Sequence, residues 1–375
     1  MGTSPAGPDP APDADVPVVV SSLLVPTVPA GRPSVPSRKD ARGVAPPPHR
    51  PRGADRPGPA PVTTLLVAST GGHLAELHDL VPRLGVRDDC VWVTFDSPQS
   101  RSLLDGAEVI HVPPAASRDL VGAVRDLMAA RRVLRGGRFS RVISTGASVA
   151  ASFFLPALRS GMACQYIESA TRTTGPSLTG RMVARLPGTG LYTQYPSWAD
   201  GRWRYGGSIF DAYVPRELSV ARPVSRVVVT LGTQTYGFPR LLERLVRIMP
   251  PSAEVLWQVG PTRIPRMPVD ARPEVPFAEM QQAMREADVV VTHAGVGSAL
   301  TALRAGQRAV YVPRRRCHGE HVDDHQLEMA RELDRRGLVQ AREADEVTEA
   351  DLHLATRWTV TARKEVTPFR WTDPT

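Results

Sequence analysis

The sequence has few cysteines and no long apolar run. Its three cysteines, Cys90, Cys164 and Cys317, are far apart and form no CxxC pair, which argues against a disulfide framework and favours a reducing cytosol. No run reaches the roughly 18 apolar residues of a membrane-spanning helix. The longest run beyond the first 61 residues, VAASFFLPAL at 149–158, contains a proline. The first residues, MGTSPAGPDPAPDAD, are acidic where a signal peptide is basic. We therefore expect a soluble or peripheral protein.

Aromatic residues are also sparse, at 6% of the chain, and they do not alternate with basic residues. Nucleic-acid binding is therefore not expected. The formal net charge is nevertheless +8, from 46 Lys and Arg against 38 Asp and Glu, which favours anionic partners such as nucleotide phosphates or acidic lipids. The 375 residues are enough for two medium-sized domains with cores of their own.

The chain divides into a tail and two similar halves. Residues 1–61 hold 16 of the 37 prolines and show no sustained periodicity, which predicts a disordered tail. Short apolar runs then alternate with amphipathic stretches over 62–200 and again over 225–375, with 201–224 as a linker and a final helix at 347–364. This alternation predicts two α/β domains with parallel, doubly wound sheets. Loops that follow the strands should line a cleft between them.

Two loops of the C-terminal half end predicted strands with small residues. In THAGVGSALTALRAG, residues 292–306, Gly295 and Gly297 open a helix. Free N–H groups and the helix dipole bind anions at such a helix start, so this turn predicts a diphosphate site; a tight turn without a ligand is the alternative. TLGTQ, residues 230–234, ends another strand at the same cleft. The candidates in these loops are Thr233, His293, Gly295, Gly297 and Ser298.

A third loop of this half, residues 312–330, holds three histidines and two aspartates that suggest a zinc site: His318, His321, His325, Asp323 and Asp324. Their spacing matches no regular His-ligand pattern, so no metal is expected. A solvated loop in which one of the aspartates caps the next helix is the simpler interpretation. His325 and Gln326 could also bind sugar hydroxyls.

In the N-terminal half, STGGHLAEL ends the first predicted strand and places His73 after the pair Gly71 and Gly72. An imidazole there could act as a general base; a histidine that caps or packs the helix is an equal alternative. IESATRTT brings Glu168 and Arg172 to the end of another strand. A carboxylate beside an arginine is more often a structural ion pair than a catalyst.

Together these motifs resemble one group of enzymes. The chain is similar to a fusion of the two subunits of the dolichol-linked N-acetylglucosaminyltransferase, to their bacterial exopolysaccharide counterparts and, more distantly, to the peptidoglycan transferase that makes lipid II. STGGHLAEL, ISTGASVA and IESATRTTGPSLTGR resemble the acceptor-side subunit. TLGTQ, VVVTHAGVGSALTALRAGQRAVYVPR and GEHVDDHQLEMARELDRRGLV resemble the donor-binding subunit, whose family 28 C-terminal domain they match. The resemblance covers about residues 63–354.

The resemblance implies a GT-B-type fold, in which two Rossmann-like domains face a cleft. It implies a UDP-sugar donor, a polyprenyl-diphosphate-linked sugar as acceptor at the cytoplasmic membrane face, and inversion at the anomeric carbon without a metal or other cofactor. His73 matches the acceptor-side histidine and is the candidate base. The N–H groups from Gly295 to Ser298, with Thr233, would hold the leaving diphosphate. His325 and Gln326 match donor-sugar positions, and Glu168 is a cleft residue of unassigned role.

One position departs from the family pattern. The relatives usually carry glutamate five residues before the glycine that ends the helix, where a carboxylate holds the ribose hydroxyls. Here that glycine is Gly306 and the position is Thr301. A threonine can replace two charge-assisted hydrogen bonds with one, a loss of about 1–3 kcal/mol. The expected ribose contact is therefore weaker than in the relatives.

Two segments of the N-terminal half could contact a membrane. The arginine face of a helix at 119–135 and the apolar segment 149–158 are candidates for contact with an anionic leaflet; a membrane-bound partner is the alternative.

The rival functions are transfer to a soluble natural product, a UDP-sugar 2-epimerase, and a silent nucleotide-binding scaffold. The epimerase needs several acidic residues lining the cleft, and the sequence does not provide such a set.

Overall fold

The computed structural model describes residues 63–86, 90–113, 120–233, 236–264 and 270–371, and these belong to one compact unit. The predicted disordered tail, residues 1–61, lies outside the described residues. None of the helices in the described ranges is long and apolar enough to cross a membrane.

The N-terminal lobe is built on a parallel sheet whose seven described strands follow the order β3-β2-β1-β4-β5-β6-β7. The strands are β1 (Thr63–Val67), β2 (Val91–Phe95), β3 (Glu108–Val112), β4 (Phe139–Ser144), β5 (Ala163–Ile167), β6 (Thr189–Thr193) and β7 (Arg204–Tyr205). The helices are α1 (Gly72–Leu80), α2 (Pro98–Leu103), α3 (Leu120–Leu134), α4 (Ser148–Arg159) and α5 (Leu178–Val183). This is the doubly wound order that the alternation predicts.

The C-terminal lobe follows β8 (Tyr213–Glu217) and has a second parallel sheet, in the order β11-β10-β9-β12-β13-β14. Its strands are β9 (Arg226–Thr230), β10 (Glu254–Gln258), β11 (Ala271–Arg272), β12 (Val289–His293), β13 (Val310–Val312) and β14 (Gln340–Ala341). Its helices are α6 (Pro239–Ile248), α7 (Phe277–Glu286), α8 (Val296–Arg304), α9 (His325–Arg335) and α10 (Glu349–Ala355). Short 3₁₀ turns lie at Val81–Arg83, Pro196–Trp198, Ile209–Ala212 and Arg316–His318.

The predicted final helix at 347–364 is wrong in its second half. Helix α10 ends at Ala355, and the next residues form β15 (Trp358–Ala362), which pairs antiparallel with β8. The segment TVT is rich in β-branched residues, which favour a strand where a partner strand is available. The interpretation of 201–224 as a plain linker missed that partner, since β8 lies inside it.

Each lobe has an apolar core, and one core is shared. Leucines of α1, such as Leu74 and Leu77, pack in the same buried cluster as Leu300 and Leu303 of α8. The segment 149–158, a candidate for membrane contact, is instead the core face of α4. Phe153 and Phe154 are fully buried there, because α4 lies between α3 and α5 against the sheet.

Candidate functional site

The glycine turns of the two lobes meet at the cleft. A Cβ atom on Gly72 would lie 2.5 Å from Cγ1 of Val296, and one on Gly297 would lie 3.6 Å from the Cα of Gly72. The turn before α1 is held by Gln99, whose side chain accepts from the Gly71 N–H at 2.6 Å and donates to its carbonyl at 3.1 Å. The missing side chains of the two turns therefore allow the lobes to approach closely.

Helices α1 and α8 lie side by side and point in the same direction. Their first turns touch at Gly72 and Val296, and near their last turns Arg304 Nε donates to Asp79 Oδ2 at 2.9 Å. Neither helix has a side-chain cap at its N-terminal residue. Two positive helix ends with unsatisfied N–H groups therefore converge at the cleft. This arrangement suits an anionic group.

His73 lies at this convergence, half-buried against the turn after β4. Its Nδ1 hydrogen-bonds the Thr145 carbonyl at 3.0 Å, and Thr145 Oγ1 donates to the His73 carbonyl at 2.8 Å. A Cβ atom on Gly146 would lie 3.0 Å from the imidazole Cε1, so this glycine leaves room for the ring. With Nδ1 as the donor, Nε2 is the free acceptor. Burial lowers the pKa of His73; the Thr145 bond opposes this, and the charge of Arg172 lowers it further.

His293, a predicted donor-side residue, is packed against backbone. Cβ atoms on Gly232 and Gly295 would each lie within 2.6 Å of its ring atoms. Burial, with the charge of Arg314, lowers the pKa of His293 to about 3. The imidazole is therefore neutral and orders the two glycine loops. Its Nδ1 is 3.5 Å from Ser298 Oγ at the start of α8.

Thr301 and Thr233 differ in their availability to a ligand. The Thr301 hydroxyl donates to the Gly297 carbonyl of its own helix at 2.8 Å, so its proton is already used and only lone pairs remain. Thr233 is exposed and adjoins the undescribed residues 234–235. The position at which the resemblance implies a carboxylate thus offers here one weak acceptor.

His325 and Gln326 both lie in the first turn of α9. The His325 Nδ1 hydrogen-bonds Asp323, which leaves Nε2 for a ligand. Gln326 is buried, and its Oε1 accepts from the Arg314 N–H at 3.0 Å. The predicted aspartate cap is wrong: Asp324 occupies the N-cap position, but its side chain accepts from the Arg316 N–H.

One group in the described residues could hold a divalent metal. Ligand atoms of His321, Asp323 and His325 lie within 4.8 Å of one another, whereas His318, also named from the sequence, is exposed and outside this group. The Asp323 carboxylate is already hydrogen-bonded to His325, its Oδ1 lies 3.2 Å from His321 Nδ1, and Arg172 lies 3.3 Å from its other oxygen. The carboxylate is therefore satisfied by protein groups, and the nearby guanidinium opposes a second cation.

The loop after β5 reaches across to the C-terminal lobe. Arg172 pairs with Asp323 rather than with Glu168, which corrects the expected local ion pair. Thr173 Oγ1 and Thr174 Oγ1 donate to Glu328 Oε2 at 3.1 and 2.9 Å. The sequence did not indicate Glu328, because only the folded chain brings α9 to this loop. These contacts tie the loop after β5 to the start of α9 in the other lobe.

Glu168 is buried and organises the same loop. Its carboxylate accepts from the backbone N–H groups of Ser169 and Ser177, at 3.2 and 3.0 Å. Burial raises its pKa, and the bonds from Ser177 and Ser169 oppose the rise. A Cβ atom on Gly180 would lie 2.0 Å from Glu168 Oε2, so the glycine makes room for the carboxylate. Glu168 thus shapes the loop that carries Arg172.

The cleft therefore combines an imidazole that is neutral at physiological pH with two uncapped helix N-termini. A base of the N-terminal lobe beside the helix start of α8 in the other lobe suits a transfer reaction in which a hydroxyl attacks and an anion leaves. Each lobe contributes one part, and the contacts from Arg172 to Thr174 join the lobes beside it.

Comparisons with known proteins agree with this architecture. Residues 227–364 match the Glycosyltransferase family 28 C-terminal domain, and no curated protein sequence matches the chain. The crystal structure of MurG from Acinetobacter baumannii is similar with a TM-score of 0.50 and 20% identity, over 78% of this chain and 89% of that one. The glycotransferase of kitacinnamycin is similar with a TM-score of 0.50 and 18% identity, over 80% and 90%.

Identities of this size show a shared fold. The predicted GT-B-type architecture of two Rossmann-like domains is confirmed by the two parallel sheets and by these similarities. The predicted family 28 domain is confirmed for the second lobe. The chain has a GT-B-type fold, and residues 227–364 of its C-terminal lobe match the Glycosyltransferase family 28 C-terminal domain.

Proposed function

We propose that the protein is an inverting glycosyltransferase that moves a sugar from a UDP-sugar to a polyprenyl-diphosphate-linked sugar in cell-surface polysaccharide synthesis. The N-terminal lobe is the acceptor side and the C-terminal lobe is the donor side. The observation that carries the proposal is the convergence of two uncapped helix N-termini beside His73. The family 28 domain supports a nucleotide-sugar donor.

In this mechanism His73 is the general base. Its Nδ1–H is held by the Thr145 carbonyl, so Nε2 can accept the proton of the attacking hydroxyl. The hydroxyl oxygen forms a bond to the anomeric carbon while the bond from that carbon to the UDP oxygen breaks on the opposite face, which inverts the configuration. The departing diphosphate gains negative charge, and the N–H groups of Val296, Gly297 and Ser298 stabilise it. The Gly295 N–H is already bonded to the His293 carbonyl at 2.8 Å, so Gly295 serves by leaving space for the phosphates.

The donor is held by the remaining polar groups of the C-terminal lobe. His325 Nε2 and the Gln326 amide nitrogen are available for sugar hydroxyls, since Asp323 and Arg314 use the other atoms. Thr301 offers the ribose only lone pairs. Ribose binding therefore relies more on the loop around Thr233 than on a carboxylate.

The assay is transfer of radiolabelled sugar from UDP-sugars to a polyprenyl-diphosphate-sugar extract. Label in the lipid fraction supports the proposal. Label in a soluble product supports transfer to a soluble natural product, and UDP binding without transfer supports a silent scaffold. A parallel screen of UDP release over several UDP-sugars identifies the sugar.

We further propose that the outer layer of α3, α4 and α5 rests on an anionic leaflet. Val124 and Met128 of α3, with Leu178 and Met182 of α5, are more than half exposed. Exposed arginines lie in these helices or within two residues of their ends: Arg125, Arg131, Arg132, Arg135, Arg159, Arg181 and Arg185. These helices contain a single acidic residue, Asp126, and it is buried. Apolar side chains among cations suit an anionic interface.

A cavity of about 240 Å³ lies within this face, and its lining suits a lipid phosphate. It is lined by Arg131, Leu134, Arg135, Pro156, Arg159 and Ser160. Replacing the three arginines with glutamine should weaken sedimentation with phosphatidylglycerol vesicles at least tenfold, since each cation near such a surface contributes about 1 kcal/mol. A triple variant at Arg216, Arg285 and Arg331, exposed elsewhere, is the matched control. Equal losses in both would contradict the proposed face.

A further inference from the structure

Arg314 is the largest fully buried side chain in the described residues, with 0% of its surface exposed. It follows β13 in the C-terminal lobe. Its Nε and NH1 atoms are buried and have no hydrogen-bond partner among the described residues. Buried polar groups are nearly always paired, and an unpaired buried charge is costly. Such a guanidinium requires an explanation.

The Arg314 side chain lies beneath the loops of the proposed donor site. Its NH2 donates to the Leu231 carbonyl at 2.5 Å in the loop after β9. Its backbone N–H bonds the buried Gln326 side chain at the start of α9. Its charge also lowers the pKa of His293, which ends β12. One residue thus contacts or influences three of the loops to which we assign donor binding.

Among the residues that the structure describes, none provides a carboxylate that pairs with Arg314 alone. The acidic residue that acts on it is Glu320, but the Glu320 carboxylate accepts from Arg240 Nε and NH2, both at 3.0 Å. It also accepts from the Arg315 N–H at 2.9 Å. Burial lowers the pKa of Arg314 to about 10, so it stays charged at neutral pH. Excess positive charge therefore remains under the donor loops.

We propose that Arg314 is a positioning residue for the donor, and that the diphosphate of the bound nucleotide supplies the negative charge that compensates it. The residue acts without touching the ligand, by fixing the Leu231 loop and by its electric field in a low-dielectric interior. The inference rests on the proposed donor site. It extends that function by assigning selectivity for a diphosphate to Arg314, a residue to which the sequence motifs gave no role.

Calorimetric titration with UDP and with uridine tests the proposal on the full chain. In Arg314→Met we expect UDP affinity to fall at least tenfold and uridine affinity to change less than threefold. Arg314→Lys keeps the charge and should keep UDP affinity within about threefold of the wild type. Arg83→Met is the matched control, because Arg83 is a buried arginine of the other lobe, bonded to the Thr367 and Ser208 carbonyls. It should leave the ratio of UDP to uridine affinity unchanged.

A purely structural role predicts a different result. Equal loss of UDP and uridine affinity in Arg314→Met, or equal loss in the Lys variant, would overturn the inference. If circular dichroism shows that the Met variant does not fold, Arg314→Gln replaces it. The UDP and uridine affinities of Arg314→Gln and Arg314→Lys are then compared in the same way. Failure of the wild-type chain to bind UDP would instead overturn the proposed donor, and the wild-type titration alone distinguishes that outcome.

Discussion

The residue Glu76 carries a buried carboxyl group one helical turn after His73. Ser169 Oγ donates to it at 2.7 Å and the Ala170 N–H at 3.2 Å. Burial raises its pKa from 4.5 to about 8. Between these two pH values the native state binds more protons than the unfolded chain, so the free energy of unfolding falls as pH rises through this interval.

Glu76→Gln removes this pH dependence while keeping an oxygen for Ala170 and a polar amide for Ser169. We expect the midpoint of thermal unfolding to exceed that of the wild type by roughly 3 °C or more at pH 9 and to differ little at pH 5. Calorimetry at both pH values checks this. A difference that does not grow with pH would show that Glu76 is ionised in the native state.

The role of His73 as the proposed general base can be tested by substitution. His73→Asn should lower kcat by about 10²–10⁴, the usual contribution of a general base. Because burial lowers the pKa of His73 below 6.5, the base stays unprotonated in mild acid. The acidic limb of the pH profile of kcat/KM should therefore lie below pH 6.5. His111→Asn, at an exposed histidine of β3, is the control. A loss of turnover smaller than tenfold would exclude His73 as the base.

Single residues were predictable where a short motif marks them. The glycine turn before His73 and the HAGVGS turn after β12 both stand at strand ends, where parallel sheets bind ligands. The contacts of Glu76, Glu328 and Arg314 were not predictable although these residues lie within the same motifs, because their partners are about 80 to 150 residues away. The sequence pattern predicts where a strand ends. It does not predict which distant residues form hydrogen bonds with a side chain buried near that end.

At the scale of elements, the contact between the first turns of α1 and α8 depends on a missing side chain. A Cβ atom on Gly72 would lie 2.5 Å from Cγ1 of Val296. Gly72→Ala should therefore destabilise the protein by about 1–3 kcal/mol through overpacking. Gly136→Ala is the control, because a Cβ atom on Gly136 would lie more than 4 Å from all described residues except its chain neighbours. Urea titration measures both.

The same contact allows a double-mutant cycle. Val296→Ala removes Cγ1, so Gly72→Ala should be less costly in that background, with a coupling of about 0.5–3 kcal/mol. Equal costs in the two backgrounds would mean that the Gly72 effect comes from the backbone of α1 rather than from packing against α8.

Most elements follow from the alternation of apolar runs and amphipathic stretches. The exceptions are the strands inside the predicted linker and the segment after Ala355, where the helical pattern of 347–355 continues but β15 forms instead. Strand β15 exists because β8 offers an unpaired edge, with Val360 opposite Pro215. A sequence pattern cannot show an edge provided by a segment more than a hundred residues earlier.

At the scale of the whole molecule, the chain returns to the N-terminal lobe after β15. The Phe369 N–H donates to the Arg83 carbonyl at 2.8 Å, and Trp371 Nε1 donates to the Leu84 carbonyl at 2.9 Å. Phe369 is buried against Tyr192 of β6, with ring centroids 5.5 Å apart. The end of the C-terminal lobe is therefore part of the core of the other lobe.

Phe369 follows the C-terminal lobe in sequence but packs in the core of the N-terminal lobe. Phe369→Ala should therefore destabilise the N-terminal lobe more than the C-terminal lobe. We expect a loss of about 3–5 kcal/mol, the usual cost of removing a buried phenylalanine ring. Hydrogen exchange should rise in β6 and β7, whereas β9 and β12 keep their protection. Pro368→Ala, at an exposed neighbour, is the control. If protection fell equally in both sheets, the lobes would unfold as one cooperative unit, and Phe369 would stabilise the whole molecule through the core shared by α1 and α8.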